Sequence, residues 1–412
     1  MKKFAFLFIC LFLYFGIIFG QCPDYDLEFF TQEDIDNFST VFPNCSVLTH
    51  ELKINGEYNN ITNLNGLSGI IQAQEIFIVQ TEINSLFGLH NVQTIENFAL
   101  WGHNNLQNLV GLSSLVEVGH FEIWFNNGIT SLSGIDNLQS IRNVNIFLNQ
   151  NLEDISQLSF LTSLAGGLTI NGNNLNNFNG LQNLQFIEQD VSIAAEGVLD
   201  FSELSNLQSI GGSLFLQDIP DIQNFSGFIN IESLVDLYIV NCPNLDDFLG
   251  FENLTTVSGR LRIGFNPGIT DLRFLKNIES VGYLDIYENE NLETLQGIES
   301  IKSINTRLFI DRNPNLTSIE ALNYLDIPTT FIELTNLPDE VVIINNTSLS
   351  ICNNDFICSI INDVNVSKGF FNNTEGCNTI EEVLESCSLN FDNNTIEDSI
   401  GIFPNPVSDV LT

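Results

Sequence analysis

From Ala73 onward the chain repeats itself every 23 residues, sometimes 24, with segments opening near Ala73, Glu96, Gly119, Arg142, Ala165, Glu188, Gly211, Val235, Ser258, Gly282 and Asn305. A less regular segment precedes them from about Glu51. Two partial ones follow, through Phe331 to Leu334 and Val341 to Ile344. Internal periodicity of this length is the mark of a solenoid, in which one repeat is too short to bury its own apolar face and stacks on its neighbours to do so.

Each repeat carries an apolar anchor: Leu100, Ile123, Ile146, Ile239, Ile263, Ile286 and Ile310. Six residues later stand Leu106, Ile129, Leu152, Leu245, Ile269, Leu292 and Leu316; nine later stand Leu109, Leu132, Ile155, Phe248, Leu272, Leu295 and Ile319. The anchor lies in a short alternating run, such as Phe121-Glu122-Ile123-Trp124, which reads as a strand with one face buried. The segments are rich in Asn and Gly and poor in Ala, Lys and Arg, which disfavours helix. The predicted fold is mainly β: a right-handed parallel β-helix or leucine-rich-repeat-like solenoid of 11–13 coils. Successive strands in it are about 4.8 Å apart.

Three residues after the anchor comes Asn126, Asn149, Asn266, Asn289 or Asn313. Stacked Asn side chains at an inward bend can bond the backbone of their own and the next coil. His103, Glu196, Ile219 and Cys242 depart from Asn there. Because leucine-rich repeats use Asn or Cys at such a bend, Cys242 reads as a buried ladder residue, and His103 as a ladder substitute.

These repeats, Arg260 to Leu272 among them, resemble the receptor L-domain, the ligand-binding β-helix of insulin- and epidermal-growth-factor-type receptors. The resemblance covers about Leu48 to Asn345 and is compatible with one long solenoid or two fused domains. It implies a binding module. The stretch Thr31 to Phe38 followed by Phe42-Pro-Asn-Cys45 resembles the N-terminal cap of secreted bacterial L-domain proteins, and Thr31 with Asp34 suits a helix start. The segment from Ile351 through Cys387 resembles their Cys-rich C-terminal cap. Caps are required because end coils expose apolar faces and strand edges.

The ends carry addresses. Lys2 and Lys3, the apolar run Phe4 to Phe19, and Gly20 have the order of a secretory signal. Ile400-Gly-Ile-Phe-Pro-Asn-Pro-Val-Ser-Asp resembles the opening of the type IX secretion sorting domain of the Bacteroidota, whose remainder is expected beyond Thr412. The expected organisation is a signal peptide at 1–20, an N-terminal cap at 21–47 and the solenoid at 48–345. A Cys-rich cap at 346–390, a linker at 391–399 and the start of the sorting domain at 400–412 complete it. The predicted location is extracellular, released or attached to the cell surface, with the type IX machinery as export partner. No membrane span is expected in the mature chain.

After export, ten Lys and Arg face 51 Asp and Glu. A chain so acidic repels nucleic acid and anionic membranes. An oxidising compartment lets Cys22 pair with Cys45, while Cys352, Cys358, Cys377 and Cys387 form two bridges of open connectivity.

No catalytic residue stands out: His50, His90, His103 and His120 lack metal-site spacing, and no phosphate loop, dinucleotide fingerprint or nucleophile elbow occurs. The expected function is non-catalytic binding or adhesion toward an extracellular glycan or protein. A purely structural or protein–protein module is the alternative, and a polysaccharide-processing enzyme is less favoured. The residue after the anchor is Trp101, Trp124 and Phe147 in consecutive coils, a predicted exposed aromatic ladder with His103, Glu122 and Asn145 close by. Such a row suits sugar rings or a protein hot spot. No cofactor is expected, although Asp285, Glu288, Glu290 and Asp311 form an acidic group of the kind calcium would suit.

Overall fold

The computed structural model describes residues 22–57, 60–246, 249–326 and 338–397. The signal segment, Phe248, the partial coil Phe331 to Leu334 and the sorting-domain start at 400–412 lie outside the described residues. Contacts divide the chain into two compact units, Met1–Ile231 and Glu232–Thr412.

In the first unit nine parallel strands follow one another in chain order: β1 (Leu27–Phe29), β2 (Val47–Asn55), β3 (Gln72–Val79), β4 (Thr94–Trp101), β5 (Glu117–Trp124), β6 (Ser140–Phe147), β7 (Leu168–Asn173), β8 (Val191–Ala195) and β9 (Leu214–Gln217). Each is paired with the next at a sequence distance of about one coil. The anchors stack in register, Ile54, Ile78, Leu100, Ile123, Ile146, Ile170, Ile193 and Leu216. Two residues upstream a second inner row runs Phe98, Phe121, Val144, Leu168, Val191 and Leu214. Every one of these side chains is buried. This is the parallel solenoid architecture expected from the period, and parallel strands buried on one face need no hairpin turns. On a further side of the coil, two-residue strands at Ser163–Leu164, Phe186–Ile187 and Ser209–Ile210 form a small parallel sheet.

The second unit repeats the plan with β10 (Leu237–Val240), β11 (Thr256–Gly264), β12 (Ser280–Tyr287), β13 (Ser303–Asp311), β14 (Glu340–Ile344) and β15 (Ser367–Phe371), again all parallel and in order. Its anchor row is Ile239, Ile263, Ile286, Ile310, Ile343 and Phe370. The sheet therefore reaches beyond both expected solenoid boundaries. β1 pairs with β2 from inside the N-terminal cap, and β15 pairs with β14 from inside the C-terminal one.

Helix α1 (Gln32–Val41) covers the N-terminal end and opens on a reciprocal capping box between Thr31 and Asp34. Its apolar side, Ile35 and Phe38, is buried, as covering an end coil requires. The bridge Cys22–Cys45 ties this cap down. In the C-terminal cap, helices α2 (Asp355–Ile360) and α3 (Ile380–Glu397) accompany bridges Cys352–Cys377 and Cys358–Cys387, which fixes the connectivity the sequence left open. Helix α3 runs on through most of the stretch read as linker. Among the described residues no helix is long and apolar enough to cross a membrane.

Candidate functional site

The bend after each anchor shapes the outer surface. In the first unit the ladder runs Thr81, His103, Asn126, Asn149 and Asn173, all buried. Asn149 Oδ1 accepts the backbone N–H of Asn126 at 3.0 Å, and Asn149 Nδ2 donates to the Ile123 carbonyl at 2.8 Å. In the second unit the column is Cys242, Asn266, Asn289, Asn313, Asn346 and Asn373, the backbone N–H of each of the first five reaching the next Asn Oδ1 at 2.8–3.1 Å. Cys242 stands outside the three disulfides and is buried in this column. Asn173, Asn346 and Asn373 belong to the ladder with the same spacing from Ile170, Ile343 and Phe370, a signal present in the sequence. Glu196 does not belong to it: it is exposed, and Ala195 takes the inner place, in register with Asn173 after a register shift.

The residue just before the ladder position adopts a left-handed backbone. Among the described residues ten such positions are not glycine: Gln80, Phe125, Leu148 and Asp218 in the first unit, and Asn241, Phe265, Glu288, Arg312, Asn345 and Asn372 in the second. Each costs on the order of 1–2 kcal/mol against the ordinary helical or extended backbone. The ladder bonds hold it there, and its own N–H still reaches the next strand, as Phe125 reaches the Phe147 carbonyl at 3.0 Å. The consequence is an outward side chain where strand alternation alone would send one inward.

This bend rearranges the predicted aromatic ladder. Trp101, Trp124 and Phe147 are in register, but the ring contacts run Phe77–Trp101 at 6.4 Å, Trp101–Phe125 at 6.3 Å and Phe125–Phe147 at 5.8 Å. Trp101 and Phe125 are 38% and 41% exposed and form the crest. Trp124 is half-buried, its indole Nε1 out of reach of any partner among the described residues, so it supports the crest and is not one of its exposed rungs. Phe125, missed in the sequence because alternation places it inside, is the link. A shallow depression of about 360 Å³ lies beside Trp101 and Phe125, next to Gln80 and Asn127.

Glu122 and Asn145 lie on this same outer face, half-buried and in register with each other. Burial pushes the Glu122 carboxyl above its ordinary value; His120 opposes this and Glu75 adds to it. His103 does not belong to the face. It is wholly buried, with Nδ1 2.9 Å from Asn126 Oδ1 and Nε2 3.0 Å from Thr81 Oγ1. Burial depresses its pKa to about 4, only partly offset by the bond to Asn126. It is a structural member of the ladder, as its position in the repeat implies.

The acidic group of the second unit is met by arginine. Asp285 is buried and lies 3.2 Å from an Arg262 guanidinium nitrogen and 3.4 Å from Arg260 Nε. Arg312 holds both Glu288, at 2.9 Å, and Asp311, at 3.0 Å. Glu290 is exposed beside them. The positive charge that would have come from a cation comes from arginine, and among the described residues no group of three or more His, Cys, Asp or Glu side chains is placed to hold a metal ion.

The sequence matches no family model and no curated protein. The fold and the outer face therefore stand on their own physical evidence.

Proposed function

We propose that this is an exported, non-catalytic binding protein that engages a glycan or protein ligand through the outer face of β3 to β6. The observation that carries the reading is Phe125. A large apolar side chain is held at φ 56° and left 41% exposed between Trp101 and Phe147. Both the strained backbone and the uncovered ring work against stability, and such a combination is retained where the surface is used. Aromatic rings at a binding surface supply large, stiff contact area to sugar rings or to a protein hot spot. The three disulfides fit an oxidising compartment, in line with the export signals read at the two ends of the sequence.

The test is a screen of the purified protein on a glycan array and on surface extracts, beside Trp101→Ala and Phe125→Gly. The expected result is a specific ligand lost in both variants while the unfolding transition stays cooperative. A ligand bound equally by wild type and both variants would remove this face from consideration.

A further inference from the structure

The outer row that carries the aromatics changes character after β6. Phe147 is in register with Asn171, and Asn171 with Ala194, so large rings give way to an amide and then a methyl group. The column of outward side chains on left-handed backbone thins at the same place. Leu148 is followed by Gly172, which has no side chain, and then by the β8 coil, where Ala195 turns inward early and no residue takes the outward position before Asp218. Two adjacent losses in two adjacent columns open a cleft of about 560 Å³. That lies within the range of roughly 300–1,000 Å³ typical of small-molecule sites. A Cβ at Gly172 would sit 2.4 Å from Leu148 Cδ2, so a side chain there would have to displace the end of Leu148.

Phe147, at the end of the aromatic cluster, forms one wall. Leu148, Gly172 and Ala194 also line it, and the remainder is polar: Asn171, Ser192, Glu196, Gln217 and Asp218 among others, with no Lys, Arg or His. Asn171 Nδ2 donates to Ser192 Oγ at 3.0 Å, which leaves Asn171 Oδ1 buried and without a donor among the described residues. An acceptor placed so costs about 1–3 kcal/mol until a donor reaches it. Carboxylates at the rim accept hydrogen bonds as well, and the lining amides add N–H donors beside their own oxygens.

We infer that this cleft is a subsite for a neutral pyranose unit of a glycan, seated against Phe147, with the Asn171 side chain turning so that Oδ1, closed off from solvent in this structure, meets one hydroxyl. A hydroxyl-rich, uncharged ligand is favoured because each O–H can donate to these oxygens while C–H faces meet the ring. An anionic sugar would face Glu196 and Asp218 in a chain of formal charge −39. The inference rests on the proposed binding face and extends it by one subsite.

The test titrates the full protein with cellotetraose, mannotetraose, laminaritetraose and maltotetraose at millimolar concentration, following heat of binding and the emission of the two tryptophans. Tetragalacturonate and calcium chloride serve as the charged comparisons. Two cleft variants are used: Asn171→Leu, which removes the unpaired acceptor, and Ala194→Tyr, which fills the notch. At least one neutral tetrasaccharide should bind, at least about tenfold more weakly in Asn171→Leu and undetectably in Ala194→Tyr, with both variants melting as the wild type does. If Trp101→Ala abolishes binding and the cleft variants do not, the aromatic face stands and the subsite is overturned. If no neutral tetrasaccharide binds, or only tetragalacturonate or calcium does, the subsite is overturned regardless of what the aromatic face is later found to hold.

Discussion

His103 stands where the next coil carries Asn126, and its ring spans the ladder: Nδ1 is 2.9 Å from Asn126 Oδ1 while Nε2 is 3.0 Å from Thr81 Oγ1. The native state keeps this ring neutral until about pH 4. An unfolded chain protonates it near pH 6.5. Between those values the unfolded state binds the extra proton, so stability contributed here is full above pH 6.5, falls as pH drops, and levels off below about 4. His103→Asn would extend the Asn column without a titrating group. The variant should match wild type within about 1 kcal/mol at pH 7.5 and exceed it by on the order of 2 kcal/mol at pH 5. Urea unfolding of both proteins at the two pH values measures this, and a difference independent of pH would show that His103 is protonated in the fold.

The ladder itself predicts a contrast between two asparagines two residues apart. Asn149→Ala leaves the Asn126 N–H buried without its acceptor and removes the side-chain bond to the Ile123 carbonyl. It should cost about 2–4 kcal/mol. Asn151 also bonds the coil before it, through Nδ2 to the Asn127 carbonyl at 2.6 Å, but it is exposed. Water replaces that bond, so Asn151→Ala should cost under about 1 kcal/mol. Equal losses in thermal unfolding would mean that the buried column is not what holds successive coils in register.

What the sequence revealed and what it concealed follow from the range of each effect. Anchors such as Ile123 and Ile286 are legible because a 23-residue period acts on every coil alike. Asn126 and its counterparts are legible for the same reason. Phe125 is not, because its outward turn depends on a left-handed backbone held by bonds from Asn126 and Asn149, whereas simple alternation sends it inward. Ala195 taking the place expected of Glu196 is a one-residue shift inside an unbroken period. The arginine partners of Asp285 are not legible in the sequence because Arg260 and Arg262 lie one coil upstream, where only the strand register brings them alongside.

Phe125→Gly separates stability from surface use. Glycine removes the left-handed strain, a gain of about 1 kcal/mol that its greater unfolded-state freedom partly offsets. The ring that is lost is 41% exposed, so less apolar burial goes with it than with a core phenylalanine. The midpoint of unfolding should therefore move by less than about 1 kcal/mol in either direction. Trp124→Ala, which removes a half-buried ring from under the crest, should cost about 2–3 kcal/mol. The reverse order in chemical denaturation would make Phe125 a packing residue and Trp124 the dispensable one.

Asp285 closes a different kind of network. Arg262 lies over the rings of Tyr238 and Tyr287 at 5.3 and 5.7 Å, and Arg260 over Tyr283 at 5.0 Å, so two guanidinium groups stacked on aromatics converge on one buried carboxylate. Both arginines keep about a third of their surface in water. Removing the carboxylate thus leaves charges that can still be solvated, and the loss is smaller than for a fully buried pair. Asp285→Asn should destabilise the second unit by about 1–2 kcal/mol, with the loss shrinking as salt is added. Because arginine already balances the carboxylates here, a chelator should leave the melting temperature of the wild type unchanged. A drop with chelator that calcium restores would show instead that a bound cation shares this face with Arg260 and Arg262.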